Sequence, residues 1–282
     1  MIKAVLASVT IKGWGAQQTD EAVGAEVAAL KGADLKAGRY VKNLIDPKAL
    51  RGMKGAAMEI RKAHYEMTRP WDDTGRRLLP GALFDDYMER IRTLISKYEF
   101  EVRQFAAEMP RLKEQARIDL GLMFDESAYP DPAVIELTCK ADYNFEPLPS
   151  GDALPATLRE LAADVEAQTK TKLQAGHQAL FHRTAKAIEE LGRKIKHYDE
   201  KREAGDSTKL RSSLLNDVRV LAQILPALNV EGDPFLNDMA NRMEAKFSSL
   251  SVDEIKDSDV QRDKAMAEVE AMMEMMKARA DD

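Results

Sequence analysis

At 282 residues, with 44% of them hydrophobic and 32% charged, the chain is long enough to bury a substantial core and too apolar to remain disordered. A net charge of −6 counts against simple DNA binding, and a single cysteine, Cys139, excludes an intrachain disulfide framework and fits a reducing cytoplasm. The longest apolar runs are too short to span a membrane, so no membrane partner is expected, and the N-terminal MIKAVLASVTIKGW reads as a mature strand rather than a signal peptide.

Residues 3–12, KAVLASVTIK, are rich in Val, Ile and Thr and read as a strand, punctuated by Gly13-Trp14-Gly15. Residues 19–30 read as a short amphipathic helix opened by Thr19, and residues 39–45 as a second strand. Asp46-Pro47 marks a helix start, an N-cap acid followed by proline, and Met53, Ile60, His64 and Met67 form one stripe of a helix reaching about Thr68. The stretch MTRPWDDTGRRLLPG, residues 67–81, cannot continue it. Beyond, Phe84, Tyr87, Ile91, Leu94, Tyr98, Val102, Phe105 and Met109 recur at steps of three and four, the apolar seam of a second helix reaching about Leu120 and kinked or restarted at Pro110. The two predict an antiparallel helical hairpin with residues 68–81 at its exposed tip.

Residues 121–155 hold five prolines and no helical period, and AVIELTCKADYNF, residues 133–145, favours strand. Residues 155–204 keep a near-heptad rhythm, with room for a bend at Gly176. A break at 204–207 precedes a helix over 207–225, then Pro226; Asp233-Pro234 starts a helix to about Leu250, and a Ser251/Glu254 capping box opens a last helix ending in AMMEMMKARADD. The fold class is α+β and predominantly helical. A small sheet from residues near 2–12, 40–45 and 133–145 carries the long hairpin, and a C-terminal helical region follows. The regular strands of an OB-fold are missing. Residues 1–150 hold sheet and hairpin; residues 151–282 hold the long helix and C-terminal helices, packed on the first part as one unit.

Enzymatic motifs are missing. There is no HExxH, CxxC, GxSxG or GxxxxGK[ST], and Gly13-Trp14-Gly15 lacks the third glycine of a dinucleotide site. Cys139 reads as a small buried thiol, and Asp72-Asp73 and Asp85-Asp86 as helix N-terminal charges. No catalytic residue, metal or cofactor is expected.

Binding is better supported. Residues 1–81 carry a net +5, 82–168 a net −9, 169–219 a net +5 and 220–282 a net −7. The two basic blocks are either solvated helix faces or a binding surface in an acidic molecule. Residues 36–77 hold 11 Lys and Arg against 5 acids, interleaved with Tyr40, Tyr65 and Trp71. Single-strand binders combine cations for phosphates with flat rings for unpaired bases. The candidate nucleic-acid-binding residues are Arg39, Tyr40, Lys42, Lys62, Arg69, Trp71, Arg76 and Arg77, joined by Arg193, Lys194 and Lys196 from the second block. Arg69 and Trp71 are expected exposed. The alternative has Trp71 folded back as a loop anchor and the arginines paired to Asp72 and Asp73. The Met-rich C-terminus and its Asp281-Asp282 tip suit a partner, a neighbouring helix or another copy of the chain.

VKNLIDPKAL (residues 41–50), the helix, Trp/Gly loop and helix that follow, and LLNDVRVLAQILPALNVEGDPFL (residues 214–236) resemble an uncharacterised family of tailed phages and integrative elements. Its members are often encoded beside a MoxR-type AAA+ ATPase and a von Willebrand A-domain protein. Within that setting the chain is similar to the single-stranded-DNA-binding RNA polymerase cofactors of podophages that carry a virion RNA polymerase. The resemblance implies a non-enzymatic protein of the host bacterial cytoplasm that holds melted promoter DNA and recruits a phage RNA polymerase. It equally admits an adaptor for the ATPase and its von Willebrand A-domain partner.

Overall fold

A computed structural model describes residues 3–153, 155–204 and 215–281. The chain is predominantly helical with a small antiparallel sheet, the expected class. It divides into two compact units, each assembled from separated segments. Unit 1 is Met1–Ser8, Tyr65–Asp85 and Phe145–Asp282; unit 2 is Val9–His64 and Asp86–Asn144.

The strand expected near residues 2–12 is β1 (Ala4–Ile11). Gln17–Thr19 (β2) precedes α1 (Glu21–Lys31), whose N-cap is Asp20 rather than Thr19: the Asp20 carboxylate accepts from the Val23 amide. Gly32, at φ 60, closes the helix in the left-handed conformation. The helix expected to be amphipathic buries no side chain. β3 (Val41–Asn43) pairs antiparallel with β2 in a two-stranded ladder of its own, so the expected strand exists but does not join the main sheet.

Asp46-Pro47 does start a helix. Asp46 accepts from the Lys48 amide, a 3-10 turn follows at Pro47–Leu50, and α2 runs over Arg51–Met67. After it come β4 (Arg69–Pro70), a turn with Gly75 at φ 89, and β5 (Arg77–Pro80). This stretch is therefore not a free tip. It is a β-hairpin whose β5 also pairs with β1, from Ala4 opposite Pro80 to Ala7 opposite Arg77. α3 (Phe84–Leu120) is one helix through Pro110, which lies on its exposed face, so the expected kink or restart does not break it. Within unit 2, α2 and α3 run antiparallel as expected: Lys97 Nζ donates to Glu59 at 2.7 Å, and His64 Nδ1 lies 2.9 Å from the Tyr87 hydroxyl. Met53, Ile60, Tyr98, Val102 and Phe105 are buried along the seam.

The strand expected over 133–145 is half wrong. Asp131-Pro132 repeats the helix-start signal, and α4 (Pro132–Thr138) forms despite its Val, Ile and Thr. Only Ala141–Pro147 is a strand, β6, which completes a sheet of order β4-β5-β1-β6. In unit 1, α5 (Arg159–Glu203) is a single helix of 45 residues, unbroken at Gly176. The start expected at Ser207 lies outside the described residues. α6 (Asn216–Leu228) runs through Pro226, and α7 (Pro234–Phe247) begins at Asp233-Pro234, with Asp233 accepting from the Phe235 amide. The Ser251/Glu254 capping box is present, but it opens only the short α8 (Val252–Asp257). Extended backbone at Ser258 separates it from α9 (Asp259–Asp281). α5 packs on α9 and α6, and α6 on α7.

Candidate nucleic-acid interface

The β4–β5 hairpin overturns the expectation for its own side chains. Trp71 is 5% exposed and packs with Leu6 and Leu78 in a core cluster that Leu148, Leu173 and Val230 also touch. Lys172 Nζ lies 5.3 Å from its ring centroid. Water excluded from so large a ring stabilises the fold by about 1.5–3 kcal/mol. Arg69 is 1% exposed. Its guanidinium grips Glu231 at 2.5 and 2.7 Å and donates to the carbonyls of Leu228 and Leu173. Arg69 and Trp71 are thus not exposed DNA contacts: one is a buried ion-pair strut, the other the loop anchor. Arg76 pairs with Asp72 at 2.6 Å and Glu146 at 3.2 Å.

The other expected residues separate. In unit 2, Arg39 is exposed, Tyr40 is half-buried, and Lys62 stands exposed on α2. Lys42 is buried, its ammonium 2.9 Å from Asp20 and 2.7 Å from the Met123 carbonyl, so it is spent inside the fold. In unit 1, Arg193 pairs with Glu190 at 2.7 Å, Lys194 lies 3.5 Å from the same carboxylate, and Lys196 is exposed. With Lys42, Arg69 and Trp71 buried, no exposed track holds all eleven.

A smaller constellation in unit 1 does combine a ring with cations. Tyr65, 55% exposed, carries the Arg77 guanidinium 4.5 Å from its ring centroid. Arg77 is held there by the Thr68 hydroxyl at 2.7 Å and the Thr68 carbonyl at 3.2 Å. Arg183, from α5, donates to the carbonyls of Glu66 at 2.9 Å and Tyr65 at 3.3 Å. Burial pushes the Arg77 guanidinium down to about 10; the Tyr65 phenol opposes this and the neighbouring Arg183 charge adds to it. Burial likewise lowers Arg183, with Glu66 opposing. Among the described residues, neither arginine has a carboxylate gripping it as Glu231 grips Arg69.

From Arg183 the cations continue along α5. Lys186 and Lys194 line a cavity of about 220 Å³ with Arg183, Ala187, Leu191 and Glu190. Positions 183, 186, 190 and 194 share one helix face, so their side chains follow each other along the axis. Sequence reading singled out Arg77 and Lys194 but left Tyr65, Arg183 and Lys186 off its site. The three-and-four spacing from 183 to 194 was the available signal; the nearness of Tyr65 to Arg77 depends on the hairpin turning back. The guanidiniums can bind phosphate oxygens in a bidentate fashion, and the tyrosine face can take an unstacked base.

A second polar cluster in unit 1 is structural. His177 on α5 lies between carboxylates, Nε2 at 3.1 Å from Asp233 and Nδ1 at 3.7 Å from Glu231. With Arg69 on Glu231, this fixes α5 to the loop between α6 and α7. No protein-family model, curated protein or solved structure matches this chain.

Proposed function

We propose that this protein is a non-enzymatic single-stranded-DNA-binding transcription cofactor acting in the host bacterial cytoplasm, where it holds melted DNA and recruits a phage RNA polymerase. The supporting observation is the Arg77 guanidinium laid on the exposed Tyr65 ring beside Arg183, with Lys186 and Lys194 in line along α5. The resemblance to phage proteins supplies the polymerase. Titration of a labelled oligothymidine by fluorescence anisotropy tests the reading. Tyr65→Ala should weaken binding by about 5–150-fold, the value of one stacked base at roughly 1–3 kcal/mol. Its helical circular dichroism should be unchanged, because the side chain is exposed. Equal affinity of wild type and variant, or no preference for single strands over duplex, overturns it.

A second reading has an observation of its own. Of the fourteen large hydrophobic side chains exposed among the described residues, ten belong to unit 2, among them Val27, Leu30, Leu35, Ile118, Leu122 and Leu137. Val27 and Leu35 line one groove, and contiguous apolar surface of this kind serves protein binding. It favours an adaptor for a MoxR-type AAA+ ATPase and its von Willebrand A-domain partner. Purified ATPase retained by the immobilised protein without DNA would support it.

A further inference from the structure

α1 is a preformed helix without a core to sit on. Its ends are both closed, by Asp20 and by Gly32, yet no residue of EAVGAEVAALK is buried, and Leu30 stands 81% exposed. Gly24, Val27, Ala28 and Lys31 recur at i, i+3, i+4 and i+7 and form one wall of a groove of about 290 Å³. Leu35, Gly38 and Tyr40 form the facing wall. The same walls open into a wider recess of about 800 Å³ reaching Lys36 and Arg39.

The charges at the groove are not balanced. Asp20 is engaged by the Lys42 ammonium and the Val23 amide, and Asp34 by the Lys36 amide. Among the described residues, Lys31, Lys36 and Arg39 have no carboxylate partner; against these three cations stand only Glu21 and Asp34, whose carboxylate the Lys36 amide binds without cancelling its charge. An occupant must therefore cover apolar surface and bring negative charge. Nucleic acid supplies the charge but not the aliphatic side chains that the Val27 and Leu35 walls would bury.

We propose that this groove docks a short amphipathic peptide segment of another protein, which seats apolar side chains between Val27 and Leu35 and sets carboxylates against Lys31 and Arg39. The inference rests on the reading of unit 2 as a protein-binding surface. It names the partner's chemistry as an apolar, acidic segment.

Selection of a displayed random peptide library on the full-length protein, with Leu35→Asp as counter-selection, tests it. Leu35 is 66% exposed, so the variant should keep the fold. The expected consensus places Leu, Ile, Met or Phe at helical or alternating spacing with interspersed Asp and Glu. A synthetic peptide of that consensus should bind wild type at least tenfold more tightly than Arg39→Glu, and exchange of its acids for lysine should restore binding to Arg39→Glu. A basic consensus, no consensus, or affinity indifferent to Leu35 and Arg39 overturns the proposal. So does self-association that Leu35→Asp abolishes, which would assign the groove to a second copy. Purified ATPase that still binds the Leu35→Asp protein sinks the groove alone, whereas ATPase that never binds wild type sinks the adaptor reading.

Discussion

Gly176 shows how one missing side chain can be required inside a good helix. A Cβ there would lie 2.8 Å from Arg69 Nη2 and 3.3 Å from the Pro70 carbonyl oxygen. The guanidinium cannot swing aside, because Glu231 and two backbone carbonyls hold it. Alanine normally gains about 1 kcal/mol over glycine in a helix. Gly176→Ala should instead lose about 1–3 kcal/mol, as overpacked sites do, read from the urea midpoint; a raised midpoint would contradict this. Asp72 offers a test by pH. Burial opposes its ionisation, yet hydrogen bonds from Thr74 and Arg76 hold its carboxyl at about 2, below the ordinary 3.8. A depressed pKa means that folding favours the ionised form. The stabilisation is complete above 3.8 and disappears as pH falls toward 2. The stability gap between wild type and Asp72→Asn should therefore narrow across that window and stay constant from pH 5 to 7. At this scale the residue types of the candidate site were legible and their fates were not. Arg69, Trp71 and Arg77 occupy one run of sequence, but Arg69 and Trp71 meet Leu6, Leu148, Leu173, Leu228 and Glu231 from distant segments, and Arg77 meets Tyr65 and Thr68 only because the hairpin turns back.

Elements were more legible, because their signals are local. Asp46-Pro47, Asp233-Pro234 and the Ser251 capping box each opened a helix where expected, since a cap depends only on the next three or four residues. Residues 133–138 differ from the expected strand because β-branched side chains fit a one-sided helix as well as a strand, and Asp131-Pro132 supplies the helix start that decides between them. Gly176 suggested a bend when its use was close approach. α1 departs furthest from expectation: its apolar residues predict a buried stripe, and none is buried. An 11-residue helix that buries no side chain is marginal in water. Its amides should exchange with deuterium fastest of the helices, well ahead of α3, as followed by mass spectrometry of the full chain. Protection equal to that of α3 would show that α1 has support beyond its caps.

For the whole molecule, a charge of −6 and a DNA-binding role are compatible only if binding is local. Arg77, Arg183, Lys186 and Lys194 would neutralise about four phosphates. The logarithm of affinity for a single strand should then fall against the logarithm of salt concentration with a slope of about −3, and by about one unit less after Lys186→Gln. A slope near zero would detach this face from the phosphate backbone. The interleaving of the two units has a consequence for synthesis on the ribosome. Arg69 and Glu231 stand 162 positions apart. At about 5–20 residues per second, the strand pair bearing Arg69 and Trp71 waits roughly 8–30 s for its cover to be translated. During that interval the nascent polypeptide presents a bare indole and an unneutralised guanidinium to the crowded cell, and chaperones that hold unfinished chains have a defined window in which to act.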